Sequence, residues 1–141
     1  MIAGTGNRPW AVDLFGLVAP VAASILLGAC SSPAAAPSGV GVCWRMVAVG
    51  DQPPGFRAIA RDVPNLESCA ALLEGARLLE GAPATGAYNG NFIFATADQI
   101  TAAQSLDGSR IRIFEAEDRR RIQDGLQTLI DRQRGQPTPG A

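Results

Sequence analysis

Leu66 to Glu80, LESCAALLEGARLLE, decides the fold. Leu66, Cys69, Leu73 and Ala76 recur at helical spacing and make one apolar stripe, which Leu72 and Leu79 widen. The stretch also carries its own start and stop. Pro64 disfavours helical backbone at Val63, Asn65 supplies an N-capping side chain, and Gly81 suits the left-handed residue that ends a helix. A helix of this kind needs a sheet or a second helix to cover its stripe.

Upstream, Val40 to Val49 (VGVCWRMVAV) is rich in β-branched residues and bounded by Gly50-Asp51 and Pro53-Pro54-Gly55, which predicts a strand. Phe56 to Val63 is a second extended piece whose pattern does not separate strand from loop. Downstream, Asn91 to Thr96 (NFIFAT) predicts a short aromatic strand. Thr96 and Gln99 have capping-box spacing, which predicts a short helix over Ala97 to Leu106. Asp107-Gly108 marks a turn, and Ser109 to Glu115 (SRIRIFE) alternates as a half-buried strand does. Ala116 to Arg134 sets Ile122, Leu126, Leu129 and Ile130 on one side of a last helix, with Glu115–Arg119 and Glu117–Arg121 spaced as surface ion pairs. The expected fold is a small α+β domain over residues 40–134, a three- or four-stranded sheet with helices packed on one face. Residues 135–141 form a Gly/Pro-rich tail.

Composition narrows the chemistry. The 141 residues carry 12 basic and 13 acidic side chains, no His and no Lys, for a net charge of -1. Without imidazole there is no Ser-His-Asp triad and no His-ligated zinc, and without Lys no Schiff base or phosphate-loop lysine. The balanced charge lacks the basic footprint of a nucleic-acid binder. No motif calls for a cofactor or a metal.

The front of the chain reads as an address. Leu14 to Ala29 is an uncharged apolar run, shorter than the ~20 residues of a spanning helix but suited to the hydrophobic region of an export signal. It ends in Leu27-Gly28-Ala29-Cys30. This tetrapeptide resembles the lipobox of bacterial lipoproteins: Leu, two small residues, then the cysteine that takes lipid. The resemblance implies that residues 1–29 are a signal peptide removed after the Cys30 thiol is joined to diacylglycerol. It further implies acylation of the new amino terminus, and therefore attachment to a membrane through lipid alone. Ser31 and Ser32, in place of an Asp after the cysteine, imply the periplasmic face of the outer membrane rather than the inner membrane. An uncleaved anchor and an ordinary cleaved signal are the alternatives. Residues 30–39, rich in Ser, Ala and Pro, read as a tether.

With Cys30 given to lipid, Cys43 and Cys69 remain, an even pair in an exported chain, which predicts a disulfide joining the first strand to the first helix. They lack the C-x-x-C spacing of a redox pair and the four ligands of a zinc site. Arg45 shares a strand face with Cys43, so it must pass an edge or be re-aimed by a bulge.

Several residues qualify as a binding face. Trp44, Arg110 and Arg112 would line the sheet away from the helices if Ile111 and Ile113 face inward, and Arg and Trp are common interface anchors. Trp44 covering the rim of the core is the plainer reading. Tyr88 and Asn89 would form a polar recognition loop; alternatively, Asn89-Gly90 is simply a tight turn. Arg119-Arg120-Arg121 lies among acids and reads as a solvated helix face. Carboxylates are the remaining acid/base groups, and Glu67 with Glu74, or Asp107 with Glu115, are the pairs available to a small hydrolase. The expected role is non-enzymatic: a lipid-anchored envelope protein whose domain binds another envelope protein. The alternative is a module for peptidoglycan or another glycan. Its strand–helix–strand order resembles the peptidoglycan-binding SPOR fold in architecture only.

Overall fold

The computed structural model describes residues 34–135. Residues 1–33, which hold the expected signal peptide, Cys30 and the start of the expected tether, and residues 136–141 lie outside the described residues. The quoted helix, α1, spans Leu66–Glu80. The Asn65 side chain accepts from the Ser68 N–H at 2.8 Å, and Gly81 closes the helix at φ 66° with its N–H on the Arg77 carbonyl. Cys69, Ala70 and Leu73 are completely buried, as the stripe requires.

The strands beneath α1 outnumber the expectation. β1 (Cys43–Val49), β2 (Gln52–Ala60), β3 (Ala84–Tyr88), β4 (Asn91–Ala95), β5 (Ile100–Ala103) and β6 (Ile111–Arg112) form one six-stranded antiparallel sheet in the order β2-β1-β3-β4-β5-β6. The α+β class stands; the sheet is larger than three or four strands, for two local reasons. Ala84–Tyr88, with small residues and a glycine, has little strand propensity, yet it is the strand on which α1 rests. Thr96 does bond Gln99, but as a tight turn: the Thr96 hydroxyl accepts from the Gln99 N–H at 3.2 Å and the Thr96 N–H donates to the Gln99 carbonyl at 3.0 Å. That turn joins β4 to β5 where a helix was expected. The order of a hairpin, a helix and a four-strand meander also replaces the simple strand–helix–strand order that prompted the SPOR comparison.

Helix α2 spans Ala116–Gly135 and packs against α1 rather than against the strands. The layers are therefore sheet, α1, then α2 on the flank of α1.

Two clusters sit on opposite sides of the sheet. Under α1 lie Cys43, Cys69, Leu73, Ile93, Ala95 and Ile100. On the other side Phe92, Phe94 and Ala103 are packed by Met46, Phe56, Leu106 and Ala36. The last contact shows that part of the chain ahead of β1 lies on the sheet. Pro37 accepts from the Gly90 N–H at 2.9 Å, and Gly41 donates to Asn89 Oδ1 at 3.3 Å.

The disulfide between Cys43 and Cys69 is present, with Cα atoms 5.3 Å apart and both side chains fully buried. Arg45 stays on the helix side of β1 and forms a two-pronged ion pair with Glu80 at the end of α1. The pair holds the Arg45 guanidinium more firmly charged and the Glu80 carboxyl below its usual range.

Candidate functional site

The most elaborate polar arrangement was not foreseen. Glu74, on the flank of α1 that meets α2, has no solvent exposure. Its carboxylate accepts from Arg77 Nε and Nη2, both at 2.9 Å, from Gln123 Nε2 at 2.6 Å and from Arg119 Nη2 at 3.2 Å. Arg119, itself 7% exposed, also donates to the Thr96 and Ala97 carbonyls. It thereby ties α2 to α1 and to the β4–β5 turn.

Burial alone would push the Glu74 carboxyl up. The hydrogen bonds from Arg77 and Gln123 and the charges of Arg119 and Arg77 outweigh that and hold it below the ordinary range. A carboxylate held below the ordinary range with its acceptor sites occupied joins elements; it is poorly suited to deliver a proton. Its proposed catalytic partner, Glu67, is exposed in the first turn of α1. Asp107 lies in the exposed turn after β5, and Glu115 is an exposed residue 3.8 Å from Arg112. Among the described residues, no group of His, Cys, Asp or Glu is placed to hold a metal ion.

The Arg119 placement corrects the reading of residues 119–121 as one solvated face. Arg119 falls on the α2 stripe one turn before Gln123, then Leu126 and Ile130, so extending that stripe backward locates it. Its expected surface partner, Glu115, is replaced by Glu74. Arg121 does behave as a surface residue, 3.3 Å from Glu117 and 3.2 Å from Asp118.

The residues proposed as a binding face separate. Trp44 is on the sheet side away from α1, half-buried, with Gly39 against its ring and its indole N–H unpartnered. Arg110 sits over the Phe94 ring on that same side, 3.8 Å from its centroid, a cation–π contact. Arg112 pairs in register with Thr101 at the sheet edge. Tyr88 is buried, and its hydroxyl donates to the Val63 carbonyl at 2.7 Å, so it is committed to the core rather than to a recognition loop. Asn89, at φ 46°, and Gly90, at φ 79°, make the two-residue turn between β3 and β4. The inward placement expected for Ile111 fails: it is 74% exposed on β6. Ile113 does pack against the core.

Two grooves open on different sides. One, of about 460 Å³, lies beside β5 and β6 and is lined by Asn91, Gln104, Ser105, Ser109 and Ile111 among others. The second, of about 410 Å³, is lined by Val63, Pro64, Ala71, Leu72 and Leu126, with Asp62 and Ser68 at its polar end. Leu72, in the second groove, is 43% exposed, and Leu79 and Leu129 are 54% and 55% exposed. Leu72 and Leu79 therefore do not extend the stripe toward the sheet. Among the described residues, no helix is long and apolar enough to cross a membrane. No protein-family model, curated protein or solved structure matches the chain.

Proposed function

We propose that the chain is a non-enzymatic envelope lipoprotein, held on the periplasmic face of the outer membrane through Cys30, whose helical layer docks another envelope protein. The anchoring part is supported by the Leu27-Gly28-Ala29-Cys30 motif and by a buried disulfide that suits an oxidising compartment. The docking part is carried by one observation: half-exposed Leu72 lines a mainly apolar groove with Val63, Pro64, Ala71 and Leu126. Buried apolar anchors dominate protein interfaces, and grouped exposed ones mark them.

A photo-crosslinking amino acid introduced at Leu72 in the full chain, in its native envelope, should give one discrete adduct. The same group at Arg121 should give none, and Leu126→Asp should abolish the Leu72 adduct. A chain that stays uncoupled at Leu72 while correctly anchored overturns the docking role.

A second reading, a glycan-binding module, draws on the other groove, where Asn91, Gln104, Ser105 and Ser109 offer amide and hydroxyl groups. Co-sedimentation with purified sacculi, lost on Gln104→Ala, would favour it; no retention removes it.

A further inference from the structure

We infer that the anchored domain meets the bilayer with the sheet end that carries Val40 and the β3–β4 turn. The inference rests on Cys30 lipidation and goes beyond it. Ala36 packs on the Phe92–Phe94 cluster, and the Pro37 carbonyl accepts from the Gly90 N–H. From Cys30 to Ala36 the chain can reach at most ~20 Å, even fully extended.

The direction of departure matters as much as the length. Gly39 lies against Trp44 on β1, Pro37 against the β3–β4 turn, and Ala36 against the β4 phenylalanines. The segment thus crosses the side of the sheet opposite α1. From Pro37 to Gly41 it stays at the end of the sheet that holds the β3–β4 turn, which keeps that end within reach of Cys30.

Val40 supplies an independent sign. It is 90% exposed, yet its backbone is firmly held. The Val42 N–H bonds the Gly39 carbonyl, and Gly41, at φ 68°, donates to Asn89 and accepts from Val63. An apolar side chain presented on a fixed turn, at the end of the sheet where the tether docks, fits the interfacial region of a lipid surface.

The test uses the full lipoprotein, purified from membranes and reconstituted in phosphatidylethanolamine–phosphatidylglycerol vesicles containing a nitroxide-labelled lipid. A fluorescent amino acid is placed at Val40 or, separately, at exposed Arg121 near the α2 end that bonds Thr96 and Ala97. Quenching several-fold stronger at Val40 is expected. It should fall toward the Arg121 level when a long Gly-Ser segment is inserted between Ser32 and Pro33. Equal quenching at both sites, or stronger quenching at Arg121, in protein whose intact mass carries the acyl chains overturns the orientation while leaving the anchor intact. A mass without acyl chains overturns the anchor itself, and the orientation with it.

Discussion

At the residue scale, Glu74 and Arg119 show why a buried charge is a commitment. Removing one partner leaves the other desolvated and unpaired, which typically costs ~3–5 kcal/mol. Arg119→Ala should therefore lower stability by about that much, whereas Arg121→Ala, exposed and salt-bridged only at the surface, should cost less than ~0.5 kcal/mol. Urea unfolding of the two variants separates them; equal losses would mean that the buried network contributes little. The network also sets a pH dependence. Glu74 titrates lower in the folded chain than its ordinary 4.5, so its contribution is fully present above that value and drains away as the pH falls through the depressed folded value. Glu74→Gln should accordingly be destabilising at about pH 7, and its deficit against the parent chain should shrink by about pH 3. A gap that stays constant across that range would show that the ionised form is not what the fold uses.

At the element scale, close approach rather than propensity organises the sheet. β3 is the strand beneath α1, and Gly86 on it has no room for a side chain. An added Cβ would fall against the Trp44 carbonyl and 2.6 Å from Leu73 Cδ1. Gly86→Ala should thus cost ~1–3 kcal/mol by overpacking. Gly125→Ala, in α2 with nothing near its Cβ, should stabilise by about 0.5–1 kcal/mol. Thermal unfolding of both checks the contrast. The same physics explains what was legible beforehand. α1 was readable to the residue because its caps and stripe are local signals, and α2 because its period is long. β1 and β4 announced themselves with β-branched and aromatic residues. β3 and β5 did not, because Ala84–Tyr88 and Ile100–Ala103 become strands through their neighbours. The Thr96–Gln99 spacing serves turns and helix caps alike, so the pattern alone favoured the wrong one. At the candidate site, Cys43–Cys69 was legible from count and stripe. Outward Leu72 and Leu79 were not, since a helix that a second helix flanks has two apolar sides and the sequence does not say which meets the sheet.

At the scale of the whole molecule, the Cys43–Cys69 bond holds the body together, and Cys30 is proposed to hold it in place by an independent device. The Cys43–Cys69 bond closes a separation of 26 residues and staples the start of β1 to the first turns of α1, which a chain-entropy estimate values at about 3.5 kcal/mol. Cys30 is proposed to act only through lipid, whose burial contributes ~0.8 kcal/mol per CH₂ and needs two or more chains for stable anchoring. The two should therefore respond to opposite treatments. Reductant added to the anchored protein should lower its urea midpoint substantially and leave it in the membrane fraction. Cys30→Ser should leave the midpoint and its sensitivity to reductant unchanged, yet shift the chain out of the lipidated, processed form. Fractionation, intact mass and unfolding on the same preparations distinguish these outcomes. If Cys30→Ser changed the unfolding midpoint as much as reduction does, the division would fail, and Cys30 would have to belong to the folded body rather than to its attachment.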